Sequence, residues 1–150
     1  MGINEKIKQQ TFNSEIEKAL VNITYTYSYF TSKLNQAFKT YNISIQQFNV
    51  LRILKGADPK PVSINDITDR MVDKMSNASR LVEKLKNKEL IERKVCSYDK
   101  RQADVIITEK GKEVLEELNA LSSEIINNHR HVDETSLVQL NTTLDALRKK

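Results

Sequence analysis

The hydrophobic residues of this 150-residue chain recur every three or four positions over most of its length, which is the spacing of one face of an α-helix. The first such pattern, from about Asn13 to Phe38, predicts one long amphipathic helix. Further helices follow the capping residues 42–44 and Ser63. Another begins at Ser76 or Asn77 and runs to about residue 88.

The period changes from helical to alternating after residue 90. Between Ile91 and Ser97, and again between Ala103 and Ile107, the residue types alternate with a period of two, so that two different sets of side chains would lie on opposite faces of an extended chain. This alternation is typical of paired β-strands. The polar segment 98–102 would form the tip of a β-hairpin. Two more amphipathic helices follow, and Thr108 caps the first of them.

The predicted elements follow the order helix, helix, short helix, helix, hairpin, helix, helix. Two helices joined by a tight turn and followed by a hairpin are the components of a winged helix-turn-helix. We predict a mainly α fold, a single domain over 1–150, with a small two- to three-stranded β wing. The winged helix-turn-helix lobe would occupy 42–109, and the helices at 12–38 and 110–150 would serve dimerisation.

The positive charge of the chain is concentrated in one segment. The whole chain has a formal net charge of +4, whereas residues 74–101 contain nine basic and four acidic side chains and so carry +5. A local surplus of this kind is the electrostatic footprint of a surface that binds phosphates. The charge distribution therefore indicates double-stranded DNA as a partner.

The helix that begins near Ser76 has one face for a core and another for a DNA groove. Its apolar residues recur at i, i+3, i+4 and i+7, so they share one face of the helix; they are Ala78, Leu81, Val82 and Leu85. Arginine pairs with guanine edges, asparagine with adenine, and serine with bases or phosphates. The candidate DNA contacts here are Lys74, Ser76, Asn77, Ser79, Arg80 and Lys84. The alternative is an ordinary surface helix, because any amphipathic helix has a polar face.

The tip of the hairpin is a second candidate contact. Lys100 and Arg101 would project from a narrow ribbon, and a narrow A·T-rich minor groove attracts an inserted arginine. Asp99 would orient Arg101 through a charge-assisted hydrogen bond. The alternative is a solvated turn whose charges protect an edge strand from pairing.

The first helix and the last two helices lie outside the winged-helix lobe and carry apolar stripes that need a partner. A second copy of the chain is the simplest partner, and packing between these helices of one chain is the alternative. The candidate dimerisation residues are Ile16, Leu20, Ile23, Leu137, Leu140, Leu144 and Leu147.

Four segments, taken in order, resemble the multiple-antibiotic-resistance regulator (MarR) family. They are Ser76–Leu85, Leu90–Arg93, Asp99–Arg101 and Val105–Gly111, and they are similar to that family's recognition helix, first wing strand, wing tip and the start of the next helix. The resemblance implies a homodimer whose recognition helices enter successive major grooves of a pseudo-palindromic operator. It also implies a repressor that a small aromatic or lipophilic effector releases from DNA.

Two features depart from that family's pattern. Glu89 stands where glycine commonly follows the recognition helix, and a left-handed residue there costs a non-glycine side chain about 1 kcal/mol. We therefore expect the helix to end differently, or Asn87 to take the left-handed conformation. The oxidant-sensing cysteine that some members carry near the start of the first helix is absent, and Cys96 is interpreted as a small wing-strand residue.

Three tyrosines are candidates for an effector crevice. They are Tyr25, Tyr29 and Tyr41, although aromatic residues in this part of the chain also suit the packing of a dimer core.

Several function classes fit the sequence poorly. The three glycines are too scattered for a phosphate-binding loop, and no catalytic order of serine, histidine and aspartate occurs, so we do not expect an enzyme. His129 and His131 are two residues apart and make a poor metal chelate, so neither a metal nor a cofactor is expected. No apolar run approaches a membrane span, which favours a cytoplasmic protein without a membrane partner. The remaining rival is a winged helix that contacts protein instead of DNA.

Overall fold

The computed structural model describes residues 1–95 and 103–149, which form seven α-helices and one three-stranded antiparallel sheet. The helices are α1 (Ile3–Ile7), α2 (Glu15–Phe38), α3 (Ile45–Ala57), α4 (Ile64–Arg70), α5 (Ala78–Asn87), α6 (Glu109–Asn127) and α7 (Glu134–Leu147). The strands are β1 (Val62–Ser63), β2 (Ile91–Val95) and β3 (Ala103–Ile107). The predicted fold class, mainly α with a small β wing, is confirmed.

The sheet has the order β1-β3-β2, so β3 is its central strand. Val105 pairs with Val62 on one side and with Arg93 on the other. The predicted hairpin is confirmed as far as the pair Val95 and Ala103, which is the last described rung of the ladder. β1 has only two residues, too few to show an alternating pattern in the sequence.

One hydrophobic core holds the winged-helix lobe together. Its fully buried side chains come from α3, α4, α5, the sheet and the first half of α6; they include Leu51, Leu54, Ile67, Val82, Leu85, Val105 and Leu118. The predicted inward face of α5 is confirmed, because Ala78, Val82 and Leu85 are buried and Leu81 is half-buried. α2 packs along α6 and contacts α3.

Side-chain caps fix where the helices of the lobe begin. Ser44, Ser63, Asn77 and Thr108 each accept a hydrogen bond from the backbone N–H three residues later, at 3.0 to 3.1 Å. Such a cap satisfies a donor that the helix leaves unpaired and contributes about 1 kcal/mol. The caps that the sequence predicts at these positions are therefore present.

The helices outside the lobe leave much apolar surface exposed. No residue of α7 is buried, and in α2 only Phe38, its last residue, is buried. α1 was not predicted, because its five residues are too few to show a helical period, yet Ile3 is buried. None of the helices in the described ranges combines the length and hydropathy that a bilayer crossing requires.

The turn after α5 corrects the expectation about how this helix ends. Glu89 itself has the left-handed conformation, with φ of 61°, whereas Asn87 remains the last helical residue. The N–H of Leu90 donates to the carbonyl of Leu85 at 3.1 Å, and that of Glu89 donates to Lys86 at 2.8 Å. These two bonds form a Schellman motif, which satisfies the carbonyls at the end of the helix.

Gly111 is required by the close approach of α6 to this turn. A β-carbon at Gly111 would lie 2.0 Å from the carbonyl oxygen of Leu90. The same oxygen accepts a hydrogen bond from the N–H of Thr108 at 3.1 Å, so it cannot move away without losing that bond. The glycine therefore sets the distance between the first turn of α6 and the end of α5.

Replacement of Glu89 by glycine is expected to stabilise the fold by about 1 kcal/mol, because glycine adopts a left-handed conformation without steric cost. The lost ion pair between Glu89 and Lys110, 3.0 Å apart, is exposed and contributes little. Urea denaturation measures the change. Lys86→Gly, inside the last turn of α5, is the matched control and should destabilise by up to about 1 kcal/mol. A loss of stability in Glu89→Gly would contradict the assignment.

Replacement of Gly111 by alanine is expected to destabilise the fold by at least about 1–3 kcal/mol, the usual cost of overpacking, because the obstructing atom belongs to the backbone. Gly56→Ala is the matched control, since Gly56 is also helical and the nearest atom to its new β-carbon, 3.7 Å away, is a guanidinium nitrogen of Arg70. The control should keep or gain stability. Equal stability of the two variants in thermal melts would show that α6 does not approach Leu90 this closely.

Candidate nucleic-acid interface

The turn before α5, residues 71–77, is anchored by hydrogen bonds at both ends. Asn49 of α3 accepts a bond from the N–H of Val72 at 3.0 Å. Asp73 accepts two more, from the N–H of Met75 to its side chain and from the N–H of Ser76 to its carbonyl, at 3.0 and 3.2 Å. These bonds hold the N-terminus of α5 in a fixed position relative to α3.

The exposed face of α5 carries four of the six side chains that the sequence assigns to this helix. Asn77, Ser79, Arg80 and Lys84 are all exposed. The side-chain oxygen of Asn77 is occupied as the helix cap, which leaves its amide nitrogen to donate to another molecule. The four residues lie on or beside the first two turns of one helix, opposite the buried residues Ala78 and Val82.

Two of the predicted contacts have other partners or surroundings. The ammonium group of Lys74 donates a hydrogen bond to the backbone carbonyl of Asp69. The hydroxyl of Ser76 is enclosed by protein and has no hydrogen-bond partner in the described part of the chain. Both residues belong to the turn that precedes the helix. Ser76 therefore presents no polar group to solvent, whereas Lys74 is exposed and directs one of its three N–H donors to Asp69.

Arg80 and Lys84 are the exposed cations on the outer face of the first two turns of α5. Glu83 offsets other cations, since its carboxylate lies 3.2 Å from Arg93 and 3.9 Å from Lys86. Among the described residues neither Arg80 nor Lys84 forms an ion pair. Partial burial, and to a lesser degree the charge of Lys84, lower the pKa of Lys88, so positive charge is crowded on this side of α5.

A cleft of about 450 Å³ lies between the second half of α5 and the start of α3. It is lined by Asn42, Ser44, Gln47, Leu81, Lys84, Asn87 and Lys88. Its side chains are polar or basic apart from one leucine, so the exposed face of α5 continues into a concave surface that suits an anion.

The wing tip cannot be compared with its prediction. Asp99, Lys100 and Arg101, together with Cys96, lie outside the described residues. The paired strands β2 and β3 flank this segment in the sequence, and α5 contacts β2.

The candidate dimerisation residues remain uncovered in the single chain. Their exposed fractions run from 38 to 55%, except for Leu144, which is half-buried; the residues are Ile16, Leu20, Ile23, Leu137, Leu140, Leu144 and Leu147. Packing of α7 within its own chain is therefore slight, because this helix has no buried residue.

Comparison with known proteins finds similarity in the central part of the chain. A sequence model described as the MarR family matches residues 41–102, which run from just before α3 to the end of the segment between β2 and β3. The regulator MgrA of Staphylococcus aureus is 29% identical over 91 residues, or 61% of this chain. The chain is similar to the MarR family over this part of its length. The match covers 60% of the length of MgrA, so it spans less than two thirds of that relative.

Solved structures share the fold of this chain over nearly its whole length. A MarR-like regulator from Bacillus cereus has a TM-score of 0.78 and 21% identity, covering 89% of this chain and 96% of its own. MepR of S. aureus, solved with DNA, has a TM-score of 0.75 and 19% identity, covering 92% and 97%. BpsR of Bordetella bronchiseptica has a TM-score of 0.73 and 18% identity, covering 89% and 100%.

The three tyrosines suggested for an effector crevice do not come together in the structure. Tyr25 and Tyr29 line an open cavity beside His129, whereas Tyr41 donates a hydrogen bond to Glu117 of α6. That bond, together with burial and the negative charge of the carboxylate, raises the pKa of Tyr41. Tyr41 therefore ties the lobe to α6 and lines neither this cavity nor the apolar one described next.

A mainly apolar cavity has a lining that includes none of the three tyrosines Tyr25, Tyr29 and Tyr41. It has a volume of about 220 Å³ and lies between α2, α3, the turn before α5 and α6. Its lining includes Tyr27, Leu34, Phe48, Arg52, Met71 and Ser122. These residues are up to 95 positions apart in the chain. Periodicity within one helix therefore gives no signal for them.

Proposed function

We propose that this protein is a transcription regulator that binds duplex DNA through α5. The observation that carries the proposal is the pair of exposed cations Arg80 and Lys84, which have no ion pair within residues 1–95 and 103–149, on a capped helix whose other face is buried in the core. A helix of this kind fits the major groove, where bidentate arginine contacts to guanine are the commonest specific pairing. The DNA in the solved structure of MepR, which has the same fold, supports this reading.

The contacts divide into base recognition and phosphate binding. Asn77, Ser79 and Arg80 lie at the N-terminal end of α5, which enters the groove first and would read base edges. Lys84 lies one turn further along, beside the polar cleft, and would bind a phosphate. Lys100 and Arg101 of the wing, with Asp99 orienting Arg101, would reach the flanking minor groove.

The protein would act as a homodimer. The exposed apolar stripes of α2 and α7 support a second copy as their partner, since a single copy leaves them in contact with water. In this arrangement 42–109 forms the DNA-binding lobe, and 12–38 and 110–150 form the dimerisation region. Two copies of α5 would then address half-sites of a pseudo-palindromic operator about one helical turn apart.

The regulator would repress nearby genes by covering a promoter and would release DNA when a small aromatic or lipophilic effector binds. The apolar cavity between α2, α3, α6 and the turn before α5 supports this step, because its lining joins the dimerisation helices to the segment that positions α5. BpsR, whose DNA binding is regulated by 6-hydroxynicotinic acid, has the same fold.

Selection of duplexes from a random library, combined with the mass by light scattering in the same buffer, tests the proposal. We expect a dimer that enriches an inverted repeat with half-sites about one helical turn apart. A protein that enriches no sequence and binds duplexes without regard to salt would instead be a winged helix that contacts protein.

Replacement of Arg80 by alanine is expected to weaken binding to the selected duplex by about 1–3 kcal/mol, because a base contact is lost. The affinity for random duplexes should fall much less. Arg80→Lys should recover only part of the affinity for the selected duplex, since lysine keeps the charge but lacks the planar guanidinium group. Titration of both duplexes with each variant measures this difference. An equal loss on the two duplexes would mean that Arg80 contacts only phosphates.

The double substitution Leu140→Asp with Leu144→Asp is expected to prevent dimer formation, because it places charge in the leucine stripe of α7. Gln139→Asp with Thr142→Asp adds the same charge to other positions of this helix and should leave the dimer intact. Light scattering gives the mass of each variant, and circular dichroism shows whether it is folded. A leucine-stripe variant that remains a dimer would place the interface elsewhere.

A further inference from the structure

The turn before α5 encloses one polar group and bonds two others to the protein, while it leaves an apolar side chain almost fully exposed. The hydroxyl of Ser76 is enclosed, the ammonium of Lys74 bonds to the backbone of Asp69, and Asp73 accepts bonds from the turn itself. The side chain of Met75 is 93% exposed, more than any other large hydrophobic residue in the described ranges. The usual arrangement in a surface turn is the reverse, with polar side chains outside.

Met75 differs in its surroundings from the other exposed apolar residue of this turn. Val72 is 86% exposed, but it borders the apolar cavity that Tyr27 and Phe48 also line. Met75 lines none of the described cavities and lies two residues before Asn77, the cap of α5. It is therefore next to the residues proposed to read bases, and a ligand in contact with Arg80 and Asn77 would come close to it.

We propose, resting on the DNA-binding function above, that Met75 determines part of the sequence specificity by packing against the 5-methyl group of a thymine in the major groove. Thymine is the only base that presents a methyl group there. A methionine side chain is unbranched and polarisable, so it adapts its shape to such a group.

The fixed backbone of the turn favours this contact. The N–H groups of Met75 and Ser76 are both held by Asp73, and Val72 is held by Asn49, so Met75 starts from a defined position. A preorganised side chain loses less conformational freedom when it binds. The neighbouring cation Arg80 attracts the phosphates and base edges of DNA, which favours a nucleic acid over an apolar protein as the molecule that covers Met75.

The contact adds information that charged side chains do not supply. Arg80 and Asn77 distinguish bases by their hydrogen-bonding edges, whereas Met75 would distinguish thymine from cytosine at the same pyrimidine position through the methyl group. We therefore expect the selected half-site to contain a thymine whose methyl group contributes to affinity.

The test replaces the thymines of the selected duplex with deoxyuridine, one position in both half-sites at a time. Deoxyuridine keeps the base pair and removes only the methyl group. At one position, replacement of thymine by deoxyuridine should reduce the affinity of the unmodified protein about fourfold per half-site, which is the effect of one methyl-sized apolar group. Met75→Ala should bind the thymine duplex about fourfold less tightly per half-site and should not respond to deoxyuridine at that position.

Two further variants separate the contact from general effects on the turn. Met75→Leu keeps an apolar side chain and should keep part of the response to the methyl group. Val72→Thr changes a similarly exposed position of the same turn, and threonine has nearly the shape of valine. This variant should respond to deoxyuridine as the unmodified protein does. Urea denaturation of each variant confirms that it is folded, as expected for exposed positions.

The possible results separate this inference from the function on which it rests. If the protein and Met75→Ala bind the selected duplex and respond identically to deoxyuridine at every position, the inference is overturned and the DNA-binding function stands. If the unmodified protein selects no duplex at all, the proposed function fails, and Met75 has no thymine to contact.

Discussion

The backbone at Leu90 is the point on which the arrangement of this protein depends. The N–H of Leu90 closes the Schellman motif that ends α5, and β2 begins at the next residue. The carbonyl of Leu90 bonds to Thr108, and Gly111 lets the first turn of α6 lie directly against it. The helix α5, the paired strands β2 and β3 and the long helix α6 therefore share one junction.

This junction connects the two ends of the proposed mechanism. α6 packs along α2, and both helices carry or lead to the apolar stripes of the proposed dimer. The distance between two copies of α5 on DNA would be set by how each lobe is fixed to its own α6. Tyr41 with Glu117 and Asp58 with Lys112, 2.8 Å apart, add two more connections between the lobe and α6. A ligand in the cavity beside α2 and α6 would act on the same connection.

Local chemistry explains why so much of the fold could be predicted from the sequence. Caps such as Ser63 and Thr108 and the spacing of Ala78, Val82 and Leu85 act over three or four residues, so the sequence displays them directly. Glu89 shows the limit: the helix was expected to end differently, or with Asn87 in the left-handed conformation, but Glu89 itself adopts that conformation beside the bonds around Leu90. Lys74 was assigned from the basic segment and Ser76 from its place near the start of α5, and neither property shows the surroundings of a side chain in a turn. The apolar cavity combines residues from distant parts of the chain.

The most direct test of the account is the salt dependence of duplex binding. If α5 binds DNA through unpaired cations, the logarithm of the affinity should fall steeply and linearly with the logarithm of the salt concentration, by about 0.9 for each phosphate neutralised. Lys84→Ala should make that slope shallower by about one contact, whereas Lys60→Ala, an exposed lysine in the loop after α3, should leave it unchanged. An affinity that does not change with salt, or a slope that Lys84→Ala and Lys60→Ala affect equally, would contradict the account.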